Sequence, residues 1–143
     1  MTDLERMQIE WQCGRLITGY CNHVDARDYE AFLALFCEDA EWETQAGGHM
    51  RGHAEFRAYL ERRSKTSLVR HVSTNARVEV IDETHATGRS YITLFRDNDY
   101  AGTGTSARIA PALVAEYHDT YIREDGTWRI KTRFTRAVFA AEA

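Results

Sequence analysis

The sequence predicts an α+β fold in which helices come first and a meander of long strands follows. Three observations predict it. Apolar residues recur at helical spacing through the first part of the chain. The second half holds long runs rich in β-branched and aromatic residues, separated by turn residues. Helices and strands are segregated and do not alternate, so a βαβ succession is not expected. The 143 residues fit one domain, expected to span 1–143.

Thr2 followed by Glu5 has the form of a capping box. After it, Leu4, Met7, Trp11, Leu16, Ile17, Tyr20 and Val24 keep helical spacing, which predicts a first helix over 3–23. Asp25-Ala26-Arg27-Asp28 breaks the pattern. Asp28 then has the character of an N-cap for a second helix with Tyr29, Phe32, Leu33 and Phe36 on one face. Residues 40–44 read as a short strand ended by Gly47-Gly48. Residues 53–63 read as a third helix with Phe56, Tyr59 and Leu60 inward. Four strands are expected over 68–81, 84–96, 112–123 and 127–138, with Asp82-Glu83 and Asp125-Gly126 as hairpin turns. The small-residue stretch 97–111 predicts a long loop and a candidate lid over a site.

Composition narrows the function. Apolar residues make up 43% and charged residues 28%, as in a folded soluble protein. The net charge is -4 and no basic stripe exists, which argues against a nucleic-acid partner. No apolar run approaches the roughly 20 residues of a membrane span. The opening residues carry neither the basic nor the apolar region of a signal peptide, so a cytoplasmic protein is expected. Cys13 and Cys21 share one predicted helix at a rise of about 12 Å, too far for a disulfide. Buried reduced thiols are expected for these two and Cys37. No Cys-x-x-Cys is present, and the six histidines show no metal-ligand spacing, so no metal site is expected.

Three residues carry chemical interest, each with a plain reading beside a sharper one. Asp25 stands where the first helix ends, where the helix dipole gives a carboxylate nothing. It reads as a turn residue or as a chemical group. His71 shares a strand face with Val69, Ser73 and Asn75, a partly polar face that fits either a structural or a catalytic imidazole. Arg133 follows Trp128-Arg129-Ile130-Lys131-Thr132. Strict alternation puts it on the basic outer face, whereas a late bulge would turn it inward. Gly102-Thr103-Gly104 lacks the context of a phosphate loop, and no Gly-x-Ser-x-Gly elbow occurs.

Taken together, Tyr20, Val24-Asp25-Ala26-Arg27-Asp28-Tyr29, Leu35-Phe36-Cys37-Glu38-Asp39-Ala40-Glu41-Trp42, His71-Val72-Ser73-Thr74-Asn75, Tyr117-His118-Asp119-Thr120-Tyr121 and Asp125-Gly126-Thr127-Trp128-Arg129-Ile130 form an ordered set. In order and spacing the set resembles the SnoaL-like branch of the NTF2-like superfamily, over about 4–135. The nearest flavour is the group of scytalone dehydratase, bile acid 7α-dehydratase and hexachlorocyclohexane dehydrochlorinase. The resemblance implies a cone, with a curved, mostly antiparallel sheet around a pocket that about three helices close. It implies Asp25 and His71 as a catalytic pair, Arg133 as the late arginine and Tyr20 as the tyrosine of the bile acid dehydratase. The dehydrochlorinase carries a lysine at Tyr20's place, which disfavours dehalogenation here. Scytalone dehydratase uses a second histidine on a later strand, and none stands near Val114.

The expected chemistry is proton removal by the second nitrogen of His71, with Asp25 fixing the tautomer through the first. Arg133 would stabilise an oxyanion or hold a substrate carboxylate, and Tyr20 would serve the leaving hydroxyl. The expected outcome is loss of water from a small apolar or cyclic substrate, with no metal or organic cofactor. Phe36, Trp42, Met50, Phe56, Tyr59 and Tyr117 are the expected substrate-binding residues. An isomerase or polyketide cyclase on the same cone, or a non-catalytic small-ligand binding module, is the alternative. A homo-oligomer, trimer or dimer, is expected, and no nucleic acid or membrane partner.

Overall fold

The architecture was read from a computed structural model, which describes residues 1–141. The last two positions of the expected domain lie outside the described residues. Three helices and six strands run in the order α1 (Asp3–Ala26), α2 (Tyr29–Ala34), β1 (Phe36–Thr44), β2 (Gly48–Arg51), α3 (Gly52–Arg62), β3 (Leu68–Val80), β4 (His85–Asp97), β5 (Leu113–Glu124) and β6 (Thr127–Ala140). The strands form one unclosed sheet of order β2-β1-β6-β5-β4-β3. All its pairings are antiparallel except that of β1 with β6.

The capping box at Thr2 and Glu5 is present. The Glu5 backbone N–H donates to Thr2 Oγ1 at 3.2 Å, and the Thr2 backbone N–H donates to the Glu5 carboxylate at 2.7 Å. α1 runs three residues past the predicted end and stops at Arg27, whose φ of 56° is left-handed. Asp25 therefore lies in the last helical turn. The apolar spacing over-reads the start of this helix. Full burial begins at Cys13, and Leu4, Met7 and Trp11 are exposed because α1 packs on the core through the stripe of Ile9, Cys13, Leu16, Ile17 and Tyr20.

α2 begins at the predicted cap, where Asp28 accepts from the Ala31 N–H at 3.2 Å. Phe36 does not belong to it. The Ile130 N–H captures the Leu35 carbonyl at 2.8 Å, and Phe36 pairs with Ile130 as the first residue of β1. Strand pairing here overrides the helical spacing. The short strand β2, which sequence periodicity did not mark, folds back on β1 with Met50 beside Trp42. The Asp125-Gly126 turn has φ of 50° and 79°, the geometry of a two-residue hairpin between β5 and β6.

α1 packs on β3 at one end of the strand order, and α3 packs on β1 toward the other. The helices thus cover one face of the sheet. Tyr20, Phe32, Phe36, Trp42 and Phe56 pack in tilted and edge-on pairs in the core between them. The three cysteines are buried and free, as expected from their positions. Among the described residues, no helix is long and apolar enough to cross a membrane.

Candidate active site

A cavity of about 270 Å³ opens between the helices and the sheet. Tyr20 and Val24 of α1, Trp42 of β1, Tyr59 of α3, His71 of β3 and Tyr117 of β5 line it, with Leu94, Arg63 and Arg96. Of the six residues expected to bind substrate, Trp42, Tyr59 and Tyr117 stand on the cavity wall and three do not. Phe36, Met50 and Phe56 do not line the cavity. They are buried in the layer behind it, where Phe36 and Phe56 pack on the Trp42 ring. The candidate lid is corrected too: no residue of 97–111 lines the cavity, only its flanks Arg96 and Ala112. The loop folds on itself, with Ser106 donating to Asp97 and the Tyr100 hydroxyl donating to the Gly104 carbonyl.

Asp25 and His71 meet, although 46 positions separate them. Asp25 Oδ1 stands 2.6 Å from His71 Nδ1, and Oδ2 accepts the His71 backbone N–H at 2.8 Å. One carboxylate thus holds both the ring and the main chain of the histidine. Both side chains are only 12% exposed. With Nδ1 engaged, Nε2 has no hydrogen-bond partner among the described residues, on a ring that lines the cavity. The Tyr20 ring stands edge-on to the imidazole, with centroids 6.2 Å apart.

Arg133 turns inward by the bulge that one reading of the sequence required. Thr120 faces Thr132 but Tyr121 faces Ile130, which leaves Lys131 as the extra residue and shifts the alternation by one. The Arg133 side chain is completely buried, and Asp119 receives it in a two-pronged pair of 2.8 and 2.7 Å. The Tyr121 hydroxyl donates to the same carboxylate at 2.6 Å. The Tyr20 and Tyr117 rings cover the guanidinium, whose carbon lies 4.3 and 4.2 Å from their centroids. Arg133 is therefore sealed from the cavity, and the expectation that it touches substrate is corrected. Its influence runs through the two tyrosines.

Electrostatics follow from this packing. Burial pushes the Tyr20 phenol up to about 12, and the Arg133 charge offsets part of that. Burial likewise raises Tyr117 well above the ordinary range. Both phenols stay protonated, as hydrogen-bond donors, at neutral pH. Burial works against the charge on Arg133, yet the Asp119 carboxylate beside it holds its pKa above that of an ordinary arginine.

Asp119 and Tyr121 were missed as parts of the site. The signal was available: alternation puts Asp119 on one face with Tyr117 and Tyr121, and a carboxylate on an aromatic face requires a partner. Arg63 and Arg96 carried no sequence signal. Among the described residues, no three of His, Cys, Asp and Glu stand close enough to hold a metal ion.

A curved sheet wrapped around a cavity and covered by three helices defines an NTF2-like domain. Residues 5–134 match the model of the SnoaL-like domain family, and the chain belongs to that family. Among solved structures, a protein of unknown function from Mycobacterium tuberculosis is 29% identical. The alignment covers 96% of this chain and 77% of that one, with a TM-score of 0.79. A putative scytalone dehydratase from Novosphingobium aromaticivorans is 25% identical over 97% of this chain and 89% of its own, with a TM-score of 0.80. The type 3 hexachlorocyclohexane dehydrochlorinase LinA from Novosphingobium barchaimii shares the fold at 19% identity, covering 96% and 92%, with a TM-score of 0.76. No curated protein matches the chain. The family and these neighbours include enzymes that convert small molecules.

Proposed function

We propose that the chain is a cofactor-independent lyase that eliminates water from a small apolar or cyclic substrate, with Asp25 and His71 as its base. The observation that carries this reading is the double hold of Asp25 on His71, which leaves Nε2 unpartnered on the cavity wall. His71 Nε2 takes a proton from a carbon activated by a neighbouring carbonyl or ring. The freed electron pair becomes the new carbon–carbon double bond as the carbon–oxygen bond breaks. Tyr20 donates a proton to the departing hydroxyl, which leaves as water, and the imidazolium returns its proton to the phenolate. Arg133 is a positioning residue here. Its charge behind the Tyr20 ring eases the transient negative charge on that phenol. Trp42, Tyr59 and Tyr117 supply flat apolar walls for the substrate.

The dehydratase and dehydrochlorinase neighbours support elimination as the reaction class, and the tyrosine at position 20 supports water over halide as the leaving group. The same reading includes a homo-oligomer, because Val72, Tyr91, Val138 and Phe139 expose apolar surface along the strands.

A panel of cyclic β-hydroxy ketones and esters, followed by the appearance of conjugated double bonds, tests the reaction. Asp25→Asn and His71→Ala are each expected to lower kcat by roughly 10²–10⁴-fold with binding retained. Full activity of both variants on a turned-over substrate removes the pair from the mechanism. Exchange of substrate hydrogen with solvent deuterium without loss of water assigns the isomerase alternative instead.

A further inference from the structure

The charges around the cavity are one-sided. Arg63 and Arg96 line it, and among the described residues no Asp or Glu does. A second groove, which shares Ala46, Tyr59, Arg63 and Arg96 with the cavity, adds Arg62 and again no carboxylate. This contrasts with the chain as a whole, in which 22 acidic residues outnumber 18 basic ones. The two shared arginines therefore stand where cavity and groove meet.

Among the described residues no carboxylate pairs with either. Arg96 forms no hydrogen bond or ion pair among the described residues, although it lies beside the cavity near the end of β4. Arg63 makes only long contacts of 3.5 Å to the Val24 carbonyl and 3.4 Å to the Tyr29 hydroxyl, both uncharged. The segment that carries Arg63 is nonetheless fixed. The Arg27 guanidinium donates to the Ser64 carbonyl at 3.0 Å and to the Ser67 carbonyl at 2.8 Å. Arg133 is not a third such cation, because its Nε and Nη2 bind Asp119 and two tyrosine rings cover it.

We infer that the substrate carries an anionic oxygen group, a carboxylate or a phosphate, which Arg63 and Arg96 hold at the mouth while its apolar body reaches His71. An arginine fork suits either group, and two cations at the mouth with no carboxylate among the described lining residues, Asp25 being committed to His71, favour an anion over a neutral ligand. Arg63 is partly buried and Arg96 exposed, so the attraction is expected to be salt-sensitive. The inference rests on the cavity being the reaction site. It concerns binding, however, so it is read without turnover and does not depend on the Asp25–His71 pair acting as a base.

The test uses aryl carboxylates (benzoate, 2-naphthoate and biphenyl-4-carboxylate), their primary amides, and 2-naphthyl phosphate. Binding to the full chain is followed by calorimetry and by quenching of tryptophan fluorescence, since Trp42 lines the cavity. At least one carboxylate or the phosphate is expected to bind about tenfold or more tightly than the matching amide, and to weaken as salt is raised. Arg96→Gln is expected to remove most of that preference, and Arg96→Lys to restore part of it. Arg63→Gln is expected to act in the same direction. Amide affinity should stay unchanged in all three variants. The tighter of naphthoate and naphthyl phosphate identifies the anion. Equal affinity for anion and amide, no binding of any anion, or a preference that survives Arg96→Gln overturns the inference. If Asp25→Asn leaves turnover intact while the anion preference holds, the proposed base fails and this inference stands.

Discussion

Asp25 holds His71 and Arg133 holds Asp119, and the Tyr20 ring stands beside both His71 and Arg133. Asp25 spends both carboxylate oxygens on one histidine, so the ring cannot turn without breaking a bond. Arg133 spends its fork on Asp119, and both side chains are fully buried. Breaking such a pair leaves a buried charge without its counter-ion. Arg133→Met is therefore expected to cost about 3–5 kcal/mol in a urea titration, because Asp119 stays behind. Paired replacement by Arg133→Met with Asp119→Leu is expected to recover much of that loss. A single variant as stable as the wild type would contradict the account of this pair. The sequence disclosed these residues unevenly. Asp25 and His71 each read plainly as a turn residue and a strand histidine, and only their order relative to Tyr20, Trp42, Trp128 and Arg133 marked them as partners. Arg96 gave no signal, because nothing local distinguishes an arginine at a cavity mouth from one in solvent.

At the scale of elements, one bulge decides the inner face of β6. Lys131 is the extra residue, and its amine also donates to Asp39 at 2.8 Å. These two contributions separate cleanly. Lys131→Ala removes an exposed ion pair and is expected to cost less than about 1 kcal/mol. Deletion of Lys131 restores strict alternation and sends Arg133 to the outer face, away from Asp119. That deletion is expected to lose several kcal/mol or to abolish the soluble fold, read by circular dichroism and urea titration. Equal small effects of the two changes would show that the bulge does not orient Arg133. Periodicity placed the four long strands closely because each alternates over many residues. It missed β2 and misplaced Phe36, because a four-residue strand and a helix end are settled by pairing partners elsewhere in the chain. It also over-read the start of α1, since spacing reports a stripe and not what covers it.

Across the whole molecule, burial of ionisable groups sets the response to alkali. Burial raises Cys13 from 9.0 to about 12, and Cys21 and Cys37 to about 11, and it raises Tyr20 from 10.0 to about 12. Each group keeps its proton longer in the folded chain than in the unfolded one. Above pH 9 the folded state thus binds more protons, and stability falls as pH rises. The contribution is complete below the unfolded values near 9 and 10 and is lost progressively through 11 and 12. The urea midpoint is expected to hold from pH 7.5 to 8.5 and to drop by pH 10.5. A midpoint unchanged at pH 10.5 would contradict the burial of these groups. The α+β class and the helix-then-strand order were legible from composition and period alone. The cavity was not, because its volume depends on how far the sheet curves and on which aromatic rings face inward.

The proposed chemistry requires that Asp25 set the tautomer of His71 so that Nε2 is the free base. Long-range nitrogen–proton correlation NMR on the full chain reads this directly, without any substrate. The neutral ring is expected to carry its proton on Nδ1 and to leave Nε2 bare, and Asp25→Asn is expected to abolish this preference. A neutral ring protonated on Nε2 in the wild-type chain would contradict it.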